Sequence, residues 1–110
     1  MEEQIELYTK IVGVTFENRQ DIIANLTVSH KIILVREPDN KFDKNAIKVI
    51  KQPRMGDALP ADLGFINKEL ASDLGPAMDE GNFYEAKIMS ITGGDKDQYG
   101  VNIKIWKVEK

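Results

Sequence analysis

The chain has 110 residues, of which 42% are hydrophobic and 30% charged, and it carries a net charge of −3 at neutral pH. This length allows one domain with one core and leaves no room for a motor or nuclease domain beside it, and the composition excludes a disordered or repetitive chain. With no cysteine and a single histidine, His30, disulfides are excluded and a conventional structural zinc site lacks its ligands.

In chain order, the first predicted element is a strand over 6–16, where Ile11, Val12, Val14 and Phe16 give an imperfect alternation rich in β-branched residues and Gly13 suggests a bulge. Ile22, Ile23 and Leu26 then recur at helical spacing behind Asn18, a candidate cap, and predict a two-turn helix over 18–26. The unbroken apolar run of 30–36 reads as a buried strand ended by the turn formers Pro38-Asp39-Asn40. Residues 46–51 alternate well enough to pair with it. Two prolines and a glycine make 52–62 an exposed loop. A short strand over 63–66 leads to Asn67, placed to cap a helix from Lys68 to Leu74, which Gly75-Pro76 should break before a further turn ending at Gly81. The last two strands, 83–91 and 99–108, alternate apolar and polar residues around a turn at 92–98, the pattern of a hairpin with one buried face. Five or six short strands with two short helices and no β-α-β rhythm predict a mainly β fold, a small, partly open barrel of OB-like or SH3-like type or a strongly coiled antiparallel sheet, in one domain over 1–110.

Charge is unevenly placed. From Arg36 to Arg54 six basic residues face three acids, whereas from Met55 to Glu85 seven acids face Lys68 alone. A chain that is acidic overall is a poor general nucleic-acid coat, yet the first segment can form a small basic face suited to a few phosphates. No apolar run is long enough to cross a bilayer and the acidic start is unlike a signal peptide, so a cytoplasmic location without membrane contact is the default expectation. Nothing resembles a catalytic centre. No glycine-rich loop precedes a lysine and hydroxyl residue, and an EF-hand beginning at Asp39 would have Lys41, Lys44 and Ile50 at its third, sixth and twelfth positions. A binding module without cofactor, metal or catalytic residues is expected.

The most informative stretch is Arg36-Glu37-Pro38-Asp39-Asn40-Lys41-Phe42-Asp43-Lys44-Asn45-Ala46-Ile47-Lys48-Val49, followed after a loop by Leu63-Gly64-Phe65-Ile66-Asn67-Lys68-Glu69-Leu70-Ala71. With Val12-Gly13-Val14 near the start and Ile105-Trp106 near the end, it resembles the HIRAN family over nearly the whole chain. That family occurs fused to SNF2-type helicases of replication-fork remodelling and as stand-alone bacterial and phage proteins. The resemblance implies a six-stranded OB-like barrel with two helices that grips the 3′ end of single-stranded DNA in repair or fork processing. It leaves open a helicase or nuclease encoded elsewhere as a working partner.

Carried over position by position, the resemblance puts Phe42 where relatives stack an aromatic on a terminal base, and Asp43 where a carboxylate accepts from the free 3′-hydroxyl. Phe16 matches a second aromatic on the binding face and Lys68 a basic position near the phosphates. Arg36 and Lys44, from the basic segment, and Phe65 complete the candidate nucleic-acid-binding set. Two positions depart from the eukaryotic pattern: Thr15 stands in place of an arginine and Phe65 in place of a histidine. The residues themselves admit other roles. Phe42 suits a core anchor beneath its turn, Asp43 and Asn45 suit turn closure, Arg36 and Lys48 suit strand-edge solubility, and Trp106 suits the core. The rival function is a protein-interaction adaptor that keeps the fold without end recognition and uses strand edges or the 52–62 loop.

Overall fold

A computed structural model describes residues 6–53, 60–95 and 97–109. They form six strands and two helices: β1 (Glu6–Lys10), α1 (Arg19–Ile23), β2 (Lys31–Arg36), β3 (Ile47–Lys51), β4 (Ala61–Phe65), α2 (Lys68–Asp79), β5 (Phe83–Thr92) and β6 (Gly100–Val108). All pair in one antiparallel sheet in the order β1-β6-β5-β2-β3-β4. The sheet curls until its edges meet at a single bridge beyond β1, between Val12 and Phe65, where each amide donates to the other's carbonyl at 2.8 and 2.9 Å. The mainly β, partly open barrel expected from the sequence is the fold found.

Alternation places the core. Val101, Ile103 and Ile105 on β6 are completely buried, as are Ile47 and Val49 on β3 and Leu63 on β4. Ile88 and Ala86 of β5 and Ile32 of β2 join them, and the helices close this interior with Ile23 from α1 and Ala71 and Leu74 from α2. Each of the buried valines, leucines and isoleucines contributes on the order of 1.5–3 kcal/mol through burial. Gly64 makes the closure possible: a Cβ built there would lie 2.3 Å from the Val12 carbonyl oxygen, and its φ of +146° is one that side-chain-bearing residues rarely adopt.

Five expectations are corrected. The apolar run expected to be a buried strand forms β2, but only Ile32 of it is buried and Ile33 is exposed, because alternate side chains of the strand point away from the core. The first strand ends at Lys10 rather than running to Phe16, because Gly13 takes a positive φ of 74° and the chain turns, leaving Val12 as an isolated bridge. The first helix is shorter than expected, Arg19–Ile23, and Asn18 makes no side-chain cap. Gly75-Pro76 does not break α2, which runs twelve residues with Pro76 inside it. Gly75 serves packing instead, since a Cβ there would meet the Asn45 carbonyl oxygen at 2.9 Å. Trp106 is only half-buried and sits on the outer face of β6, where Lys104 lies 5.5 Å from its ring, because its neighbour Ile105 takes the inward position.

Of the loop expected over 52–62, residues 54–59 lie outside the described residues, as does residue 96 of the 92–98 turn. Among the described residues no helix is long and apolar enough to cross a membrane.

Candidate nucleic-acid interface

The loop joining β2 to β3 is held by its own side chains. Asn40 Oδ1 accepts from the Phe42 and Asp43 amides at 2.9 and 3.1 Å, and Asp43 Oδ1 accepts from the Asn45 amide at 2.9 Å. Such closures fix a turn without regular secondary structure. Arg36 ties the loop down from behind. Its guanidinium donates to the Ala46 and Lys44 carbonyls at 2.8 and 3.1 Å and, through Nε and Nη2, to both carboxylate oxygens of Asp79 at 3.0 and 2.8 Å. The Asp79 hydrogen bonds raise the Arg36 pKa and lower that of Asp79. With every face engaged and the side chain 12% exposed, Arg36 positions the loop against the end of α2.

On this fixed loop Phe42 is 93% exposed, so it is no core anchor. A phenylalanine ring displayed in this way loses its burial energy, about 1.5–3 kcal/mol, and gains nothing within the fold. Asp43 beside it is half-buried, and Oδ2 has no hydrogen bond among the described residues. Lys44 is exposed.

The barrel seam lies at the other side of the site. Phe65 extends outward there between two cations, the Arg19 guanidinium at 5.4 Å and the Lys48 ammonium at 5.7 Å from its ring. Lys48 bridges Glu37 at 2.8 Å and Asp62 at 3.2 Å, and the Glu37 hydrogen bond raises its pKa above the usual lysine value. The same bond lowers the Glu37 pKa, with Asn40 Nδ2 adding a second donor at 3.1 Å. A continuous polar chain therefore runs from Phe65 through Lys48, Glu37 and Asn40 to the amides of Phe42 and Asp43.

Phe16 stands in the turn after the seam, 67% exposed, with its amide donating to the Gly13 carbonyl and its ring close to Gly13. Arg19 lies beneath, 4% exposed, with Nη1 donating to the Gly13 carbonyl at 2.8 Å. Lys68 opens α2, exposed, behind Asn67, which accepts from the Leu70 amide and donates to Thr9.

Of the seven candidates, the fold thus brings Phe16 and Phe65 together over Gly13 and Arg19. Phe42, Asp43 and Lys44 share one rigid loop linked to Phe65 through Lys48. Arg36 lies behind that loop, and among the described residues no hydrogen bond or ion pair joins Lys68 to the others. The sequence reading missed Arg19, Glu37, Asn40 and Lys48 as members of the site. Asn40 was legible as a turn former, whereas the cation pairing on Phe65 depends on a register and a seam that no local pattern encodes. The arrangement offers aromatic faces, cations and one carboxylate oxygen. Among the described residues no cluster of histidine or acidic side chains could hold a metal ion.

The HIRAN domain family model matches residues 5–109. A Fanconi-associated nuclease 1 homolog from Arabidopsis thaliana is 36% identical over 104 residues, covering 94% of this chain but 10% of its own length. The chain therefore spans about a tenth of that relative. The crystal structure of the HIRAN domain of human HLTF is similar with a TM-score of 0.64 at 23% identity, covering 93% of this chain and 74% of that one. A crystal structure of a Lactobacillus plantarum protein gives a TM-score of 0.66, also at 23% identity, over 96% of this chain and 95% of the other.

Proposed function

Because the chain belongs to the HIRAN domain family, we propose that it is a DNA-binding module of repair or fork processing that holds a single-stranded 3′ end at the seam. The likeness to a nuclease homolog supports a DNA-directed role and a nuclease as a working partner. What carries the reading is Phe42, a 93% exposed ring on a loop whose backbone is locked by Asn40 and Arg36. A ring displayed to water from a fixed backbone can stack on a base with only its own rotamers left to order, and stacking contributes about 1–3 kcal/mol per base. Asp43, one residue on, has a carboxylate oxygen left to accept from a terminal hydroxyl. Phe16 and Phe65 supply further aromatic surface, and Lys44 and Lys68 supply local positive charge. Arg36 serves by holding the loop. The module binds and does not catalyse.

The test is fluorescence anisotropy at low salt with a 5′-labelled single strand and its 3′-phosphorylated twin. A charge-assisted hydrogen bond from the hydroxyl is worth about 1.5–3 kcal/mol, so the hydroxyl end should bind at least about tenfold more tightly. Asp43→Ala should erase most of that ratio. Phe42→Ala should weaken both strands and leave their ratio nearly unchanged. Equal binding of both ends sinks end recognition, and no binding of any strand at tens of micromolar by folded protein favours the protein-interaction adaptor.

A further inference from the structure

Arg19 is the one buried charged side chain among the described residues, and its hydrogen bonding is incomplete. Nη1 is spent on the Gly13 carbonyl, while buried Nε has no hydrogen-bond partner among the described residues. Nη2 faces the Glu17 carboxylate at 3.9 Å, an ion pair too long for a hydrogen bond. The edge formed by Nε and Nη2 is the fork through which a guanidinium takes two oxygens of one carboxylate or phosphate in parallel. Here that fork is buried but not closed, an expensive state for a cation removed from water. The other nearby acid is committed elsewhere: Glu37 feels Arg19 through space and accepts hydrogen bonds from Lys48 and Asn40.

Glu17 itself is held in an unusual conformation. Its φ of +58° makes it the one non-glycine residue with positive φ among the described residues, and its side chain is 67% exposed. A strained backbone that presents an exposed carboxylate to an unfilled fork is suited to release rather than to permanent pairing.

We propose that the Nε–Nη2 fork of Arg19 is a phosphate site for the nucleic-acid strand held at the seam, and that Glu17 covers it as a carboxylate stand-in until a phosphate displaces it. This rests on the end-binding reading above and adds to it a built-in competitor. The position fits. Arg19 and Phe16 both border Gly13 and the guanidinium lies 5.4 Å from the Phe65 ring, so a base stacked on either ring carries its backbone toward the guanidinium. A phosphodiester presents two oxygens in the spacing that the fork requires, and it would complete the bonds that Glu17 leaves unmade.

The experiment uses the full chain and single strands ending in a 3′-hydroxyl, including a set in which each phosphodiester in turn is replaced by a neutral methylphosphonate. Glu17→Gln removes the competing charge from an exposed residue and should tighten binding by about three- to tenfold. Arg19→Lys keeps the charge but not the fork and should weaken binding by about tenfold. One linkage should be sensitive to methylphosphonate in wild-type protein and in Glu17→Gln, and that sensitivity should vanish in Arg19→Lys. If Arg19→Lys melts far below wild type, the comparison of wild type with Glu17→Gln decides. Unchanged affinity in Glu17→Gln overturns the proposal, and where the preference for hydroxyl over phosphate ends persists, end recognition survives without it. Binding of no strand by wild type or by Glu17→Gln overturns both.

Discussion

The side-chain amide of Gln20 takes both backbone groups of Tyr99: Oε1 accepts from the Tyr99 amide at 2.7 Å and Nε2 donates to its carbonyl at 3.1 Å. The same Nε2 also donates to the Val14 carbonyl at 2.9 Å. A glutamine on α1 thus acts as a surrogate strand residue where β6 begins, and it clamps the turn that bears Phe16. Gln20→Ala would leave the partly buried Tyr99 amide without its acceptor, so it should cost about 1–3 kcal/mol. Urea denaturation should show a lower midpoint with an unchanged slope, and exchange of the Tyr99 amide should speed up disproportionately.

Gly64→Ala tests the seam. The new methyl would press on the Val12 carbonyl at 2.3 Å and on Ile11, in a backbone conformation that alanine resists. Overpacking and strain together should cost about 3 kcal/mol. Hydrogen exchange should show the amides of Val12 and Phe65 losing protection first, because these two make the bridge. Full protection at both would show that the closure does not depend on a bare backbone.

The Glu37–Lys48 pair makes stability depend on pH at both extremes. Glu37 has a lowered pKa, so its contribution is complete above the ordinary glutamate value and is lost as pH falls through its own lower value. Lys48 has a raised pKa, so its contribution is complete below the ordinary lysine value and is lost as pH rises through its own higher value. Denaturation midpoints should therefore decline in acid and in alkali, and Lys48→Met should flatten both limbs relative to wild type. A Lys48→Met profile parallel to wild type would remove this pair from the account.

Trp106 and Ile105 are neighbours with opposite fates. Ile105 is completely buried, and truncation to alanine should cost about 2–5 kcal/mol. Trp106, half-buried on the outer face under Lys104, should cost only about 1 kcal/mol on truncation to alanine, from lost cross-strand and cation–π contact. As it is the single tryptophan, its fluorescence in native protein should be readily quenched by acrylamide. Resistance to quenching, with a truncation cost matching that of Ile105, would return the indole to the core.

Where a pattern is local, the fold was legible. The final hairpin follows from alternation, β2 is a strand where the apolar run placed one although only Ile32 of it is buried, and Asn67 caps α2 as its position suggests, accepting from the Leu70 amide. What failed depended on contacts distant in sequence. Gly75 breaks a helix by propensity, yet Asn45, thirty residues earlier, comes so close that only glycine fits. Phe16 looked like the end of a strand because Val12, Val14 and Phe16 alternate, while the turn at Gly13 is decided by the meeting with β4. The candidate site divides in the same way. Phe42 and Asp43 were legible from the motif around them, but Arg19 sits in the unremarkable run Glu17-Asn18-Arg19-Gln20-Asp21 and becomes buried only once the seam forms.

The pairing of β1 with β6, Glu6 opposite Trp106 and Lys10 opposite Asn102, has a further consequence during synthesis. A ribosome releases β1 first of all the strands, and its main partner last. Until then the β1 backbone has no ladder to join, and the seam at Val12 lacks the neighbouring anchor that Ile11 finds on the Val101 carbonyl. Loops of this span close late and slowly, and an unpaired strand edge is open to wrong partners while it waits. The face around Phe16 and Phe65 therefore takes shape only after nearly the whole domain has emerged, so a nascent chain cannot present it before its barrel is shut.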